Sequence, residues 1–136
     1  TQVTGFETTD LAALTTTQFV GLQTTQLAAL STTQIGGLEV TDLAALTTTQ
    51  LPGFGSLQMG SLSSAQFAAL TTTIISALTT TQMTGLGDTQ IAALSTTQIG
   101  SLSTTNIATL TDTQVSAFTT TQIAAMTTQQ ANALFA

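Results

Sequence analysis

Apolar residues recur along this chain at alternating spacings of three and five, from Val3 to Leu134. Written in octads labelled a to h, with Ser31 at position a, the 136 residues divide into 17 units with no insertion or deletion. Position h is apolar in every octad, and position e is apolar too, shrinking to alanine only at Ala131. Thr, Ser and Gln fill most of a to d, and small residues fill f and g. A fixed short period marks an array of near-identical units, each covering its apolar side by stacking on its neighbours.

One continuous helix does not fit this spacing. At about 100° per residue, each octad would rotate the apolar stripe by about 80°, so no face would persist. A half-buried strand fails as well, because e and h lie three apart and would point to opposite faces. The unit must turn within its own period. With Ser31 as N-cap, Gln34 is the third helical position, which gives the S/T-x-x-Q capping box. Leu30 before the cap and Ile35 at the fourth helical position then form the hydrophobic staple that accompanies such a box. The same set recurs at Leu94, Ser95, Gln98 and Ile99, and at Phe118, Thr119, Gln122 and Ile123.

These signals predict a solenoid of short helical turns, one per octad. The core would hold Leu11, Leu14, Leu27, Leu30, Ile35, Leu38, Ile91, Leu94, Ile99 and Leu102. A slower rhythm overlies the octad: Ala-Ala pairs such as Ala12-Ala13 and Ala28-Ala29 alternate with Gly-bearing pairs such as Val20-Gly21 and Gly36-Gly37. That rhythm predicts two octads per 16-residue coil. The alternative is a β-solenoid, since Thr, Ile and Val favour strands and very short helices are individually weak. Length separates the two: about 40 Å for a β rod at ~4.8 Å per coil, nearly twice that at ~9 Å per helical layer.

Residues 1–136 read as a single continuous array, irregular only at 51–66. There Pro52 removes a donor, Gly53, Gly55 and Gly60 loosen the backbone, and Leu57 replaces the usual Thr at c. Pro52, Phe54, Leu57 and Ile74, the last standing where Gln is the rule, are candidates for an exposed lateral contact; ordinary drift of the repeat explains them as well. The chain starts in mid-octad at Thr1 and neither end carries a polar cap, so the expectation is a portion of a longer array or filament, or units stacking end to end.

Composition narrows the function. The sequence has no Lys, Arg, His, Cys, Trp or Tyr, and six charges in all: Glu7, Asp10, Glu39, Asp42, Asp88 and Asp112. Without histidine or cysteine the usual bases, nucleophiles and soft metal ligands are missing. Without a cation, binding to nucleic acid or to an anionic membrane surface lacks its main electrostatic source. Apolar runs of four residues are far short of the roughly 20 needed to span a bilayer. Neither an enzyme, a cofactor nor a small-molecule substrate is therefore expected. Glu7, Asp10, Glu39 and Asp42 are the carboxylates a calcium ion would recruit, but no Asp-x-Asp-x-Gly loop accompanies them and each is also a good helix-start acid. No metal site is expected from them.

Thr occupies position c in fourteen octads, which predicts a row of hydroxyls and methyls along one flank. Such a row would serve an ice- or surface-binding module, or would simply cover a neutral surface. An uncharged Thr/Ser/Gln exterior has little repulsion to keep copies apart, so self-association, end to end or lateral, is expected. The octad [Ser/Thr]-Thr-Thr-Gln-[Ile/Leu]-Ala-Ala-Leu resembles the repeats of very large secreted or surface proteins of proteobacteria over the whole chain. That resemblance implies a bacterial extracellular or cell-surface role, as a structural segment of a filament, stalk or adhesin, and supplies no catalytic or binding residues.

Overall fold

The computed structural model describes residues 2–136, and every regular element among them is a short helix. A 3-10 turn at Gln2–Gly5 precedes α1 (Thr8–Ala12), α2 (Thr16–Val20), α3 (Thr24–Ala28), α4 (Thr32–Gly36) and α5 (Val40–Ala44). A second 3-10 turn, Leu51–Gly53, leads to α6 (Ser56–Ser61), α7 (Ser64–Ala68), α8 (Thr72–Ala77), α9 (Thr80–Thr84) and α10 (Asp88–Ala92). The chain closes with α11 (Thr96–Ser101), α12 (Thr104–Ala108), α13 (Asp112–Ser116), α14 (Thr120–Ala124) and α15 (Thr128–Leu134). The protein is a helical repeat solenoid, and the β-solenoid alternative is set aside.

Most helices start as the capping box requires; α5, α8 and α12, with Asp42, Ile74 and Asn106 at the third position, do not complete it. Ser31 has extended backbone, its Oγ accepts the Gln34 N–H at 3.2 Å, and Gln34 Oε1 accepts the Ser31 N–H at 2.9 Å. Exposed helices this short do not survive alone. They persist here because the cap serves the first turn and the core holds the inward face.

The coil is larger than the Ala/Gly rhythm predicts. Helices stack at intervals of three octads: α1, α4, α6, α9, α12 and α15 form one column, and α2, α5, α7, α10 and α13 a second. In the third, α3 packs on the Leu51–Gly53 turn, and α8, α11 and α14 follow one another. One coil is therefore 24 residues and roughly triangular in section, which corrects the 16-residue expectation. The corner geometry explains why. At the α6–α7 corner Leu62 has φ −62°, ψ 135° and Ser63 has φ −64°, ψ 161°. Two such polyproline-like residues bend the chain open, whereas two octads per coil would need a reversal at every corner. Tight reversals use positive φ, and no described residue has it. At about 9 Å per helical layer, just under six coils make a rod near 50 Å long.

Positions e and h, three residues apart, share one helix face and meet on the axis. Leu11, Phe19, Leu27, Ile35, Phe67, Ile91 and Ile99 at e are fully buried, and Leu30, Leu38, Leu94 and Leu102 at h are buried beside them. Leu14 is partly buried against the same core. The accessible surface, 6593 Å², equals the ~6,600 Å² expected of an ordinary folded monomer of this mass. The array thus buries as much as a globular domain although each unit contributes two core side chains.

Positions g and b carry the stacking between coils. A Cβ on Gly37 would lie 2.8 Å from the Thr8 carbonyl oxygen, and one on Gly85 would lie 2.0 Å from that of Ser56. Close approach, not turn geometry, is what these glycines serve. Gly53 falls in the same class, 2.6 Å from the Thr24 carbonyl oxygen, so it tightens the stack at 51–66 instead of loosening the backbone.

Candidate functional site

The side chain that does most in this protein is the glutamine at d. Its Oε1 caps the helix to which it belongs, which leaves both Nε2 hydrogens free to point inward and back. Gln90 Oε1 accepts the Gly87 N–H at 2.8 Å, while Nε2 donates to the carbonyls of Met59 at 2.7 Å and Leu62 at 2.8 Å. Gln122 donates to Ile91 and Leu94, both at 2.8 Å, and Gln130 to Ile99 at 2.9 Å and Leu102 at 2.8 Å. The acceptors lie 31 and 28 residues back, at e and h of the fourth octad upstream. There the chain leaves one helix and rounds the corner, so its carbonyls have no complete intrahelical set of partners. Gln34, Gln50, Gln58, Gln66, Gln82, Gln98 and Gln114 repeat the arrangement.

Sequence reasoning found the capping half of this residue and missed the other half. The missing signal was present in the composition of d: a capping box tolerates Glu as readily as Gln, yet d is Gln in thirteen octads and Glu in none. A carboxylate caps equally well but has no N–H to give. An amide is required because both ends of the group are used.

Four octads depart from Gln at d. Asn106 keeps the amide, and its shorter side chain still donates to the Leu78 carbonyl at 2.8 Å. Ile74 gives up the hydrogen bonds and is buried in the core, as is Phe54. Neither presents a surface, which corrects their inclusion in an exposed contact. Pro52 is exposed at N1/N2 of its 3-10 turn, where a missing N–H costs little. Leu57 stands 80 % exposed as a single apolar residue in a column whose other c positions include Thr9, Thr33, Thr81 and Thr105. Isolated exposure of this kind forms no patch.

The acids divide by burial. Asp10 Oδ2 accepts the Glu7 N–H at 2.9 Å on the surface, an ordinary helix-start contact. Glu39 is exposed, but Asp42 is 1 % exposed and its Oδ2 has no hydrogen-bond partner. Burial pushes the Asp42 carboxyl above the usual aspartate range, the nearby Glu39 charge adds to this, and the Glu39 backbone N–H opposes it. Among the described residues, no group of three or more His, Cys, Asp or Glu side chains is placed to hold a metal ion, so the four acids do not converge on a calcium site. The pairs Glu7/Asp10 and Glu39/Asp42 sit four octads apart, one coil plus one corner, and therefore lie in different columns.

Position c is exposed in every described octad. Because the coil has three octads, its threonines are divided among three columns rather than gathered on one flank. Shallow grooves run between coils, one lined by Val20, Leu22, Thr24, Thr47 and Gln50 and another by Ser56, Leu57, Gly60, Thr84 and Gly85. Neither groove carries a titratable side chain. Among the described residues no helix is long and apolar enough to cross a membrane.

The model of one sequence family, described as the ALTTAQ repeat, matches residues 3–40, 35–72, 75–104 and 100–128, most of the chain. No curated protein and no solved structure matches it.

Proposed function

Since this chain belongs to the ALTTAQ repeat family and is a structural repeat protein, we propose that it forms a rigid spacer segment of a bacterial extracellular filament, stalk or adhesin and associates with further copies of itself. The observation that carries this reading is the glutamine ladder. Each coil is bonded to the one before it by the same amide contacts, so the architecture extends by repetition. The exposed positions are dominated by Thr, Ser and Ala, and no carboxylate pair sits in a cleft as general acid–base chemistry demands. A sequence without Lys, Arg, His or Cys supports a reading with no enzymatic activity, cofactor, nucleic-acid partner or membrane insertion.

Two features support an exposed location. The surface repels other copies weakly, with a formal net charge of −6 spread over the length of the rod. The sequence also lacks Lys and Arg, so proteases that cut after cationic residues find no site in it.

Electron microscopy and small-angle scattering of the purified protein test the proposal. Uniform thin rods about 50 Å long, joining end to end or side by side as concentration rises, are the expected result. Monodisperse single particles at every concentration would remove self-association. Absence of antibody labelling on intact, unpermeabilised source cells would remove the surface location.

A further inference from the structure

Asp42 occupies the one place in the array where the d side chain is acidic, buried and set above an earlier coil. By register its acceptors are the carbonyls of Leu11 and Leu14, 31 and 28 residues back, the positions that Gln side chains serve elsewhere. Asn106 shows what a side chain of that length does there: its Nδ2 donates to the Leu78 carbonyl, 28 residues back, at 2.8 Å. Asp42 is isosteric with Asn106, so its unpartnered Oδ2 stands where an N–H donor belongs. By that register an ionised carboxylate would have a carbonyl oxygen for its neighbour instead of a donor. Such an arrangement is repulsive, and burial denies it water.

We propose that Asp42 folds as the neutral acid, with Oδ2–H donating to the Leu14 carbonyl, so that this coil is closed by a proton and loosens when the proton leaves. Nothing else in the chain can neutralise the group, because the sequence has no Lys, Arg or His. The elements packed against α5 are α2 and α7, and neither carries a titratable residue. The charge beside Asp42 is Glu39 at the start of α5, which favours the protonated form, while the Glu39 backbone N–H opposes it. Glu7 and Asp10, at the start and in the first turn of α1, are acidic as well. A calcium ion fits less well. It requires about six to eight oxygens, whereas Asp42 is a single buried carboxylate with no second acid gathered around it among the described residues.

The sign of the pH dependence follows. A carboxyl that holds its proton more tightly when folded stabilises fully below the unfolded aspartate value, near pH 4. That stability is lost as pH rises toward the folded value, tenfold in the folding equilibrium for each pH unit between the two. The test compares unfolding of wild type with Asp42→Asn and Asp42→Gln across pH 3 to 8, alongside carboxyl carbon NMR of wild type. The expected result is convergence of all three in acid, a progressive loss in wild type toward neutrality that the amides lack, and an Asp42 resonance that titrates above those of the other acids. Parallel stability profiles would overturn the proposal, as would an Asp42 resonance titrating with the surface acids. A selective rise in wild-type stability with added calcium or sodium at pH 7 would also overturn it, since a metal rather than a proton would then occupy the site. The NMR measurement stands even if a variant does not fold.

Discussion

Replacing Gln90 with leucine isolates the double role of the glutamine. Gln90 is 2 % exposed and makes one capping bond and two bonds to the coil below. Loss of the cap exposes only the Gly87 N–H, which water can reach, at about 0.5 kcal/mol. The Met59 carbonyl keeps a second donor in the Leu62 N–H at 3.3 Å, so it forfeits about 1 kcal/mol. The Leu62 carbonyl is left buried with no donor, at about 1–3 kcal/mol. The leucine returns about 1 kcal/mol by burying more apolar surface. The net loss is about 1.5–3.5 kcal/mol, or roughly 6–14 °C in Tm for a chain of this size. Gln18 is the control. It is exposed and bonds within its own octad, to the Thr15 N–H at 2.8 Å and the Thr15 hydroxyl at 3.0 Å, so Gln18→Leu is expected to cost below 1 kcal/mol. Thermal and urea unfolding followed by circular dichroism at 222 nm measures both. Equal costs for the two variants would refute the reasoning, because capping alone would then account for the residue. Gln90→Glu, which keeps the cap and deletes the donor, should resemble Gln90→Leu at pH 7 and recover in acid.

Other expectations concern packing and the proton. Gly85→Ala should destabilise by about 1–3 kcal/mol, because its Cβ would fall 2.0 Å from the Ser56 carbonyl oxygen; Gly36→Ala, with nothing within 4 Å, should stabilise by about 0.5–1 kcal/mol in the same urea titration. Phe67→Ala, at a fully buried e position, should cost about 3–5 kcal/mol by the same measurement. Leu57→Thr, at an exposed position, should change stability by less than about 0.5 kcal/mol; a larger loss in unfolding experiments would show that Leu57 packs. Asp42→Asn should raise the urea midpoint at pH 7 and leave it unchanged at pH 3, since the wild-type carboxyl is protonated in acid.

The local half of this fold was legible because its signals are short-range. Ser31, Gln34, Leu30 and Ile35 announce a helix start within six residues, and the helix lies where they place it. The e and h positions announce a core for the same reason. Coil size was not legible, since it depends on the angle that two extended residues make at each corner, and no octad position encodes that angle by composition. The alternation of Ala-Ala with Gly-bearing pairs misled because one of its glycines, Gly37, records how closely a g position approaches the coil below. Ile74 was open between an exposed contact and drift of the repeat, because an apolar residue at a polar position does not reveal that d faces inward there. Asp42 as an odd site was hidden until the burial of its neighbours at d was known.

The stacking and the amide bonds are out of step by one octad. Each helix rests on the third octad before it, while its glutamine grips the corner behind the fourth, much as bricks in running bond never align their joints. A pull along the axis consequently finds no plane to open. Where glutamines follow one another at d, as at Gln82, Gln90 and Gln98, it meets three amides acting in parallel, whose hydrogen bonds must fail together. The courses lacking a full set are those where Asp42, Ile74 and Asn106 stand in for glutamine; Asn106 keeps one bond, so a stretched rod should part first at Asp42 or Ile74.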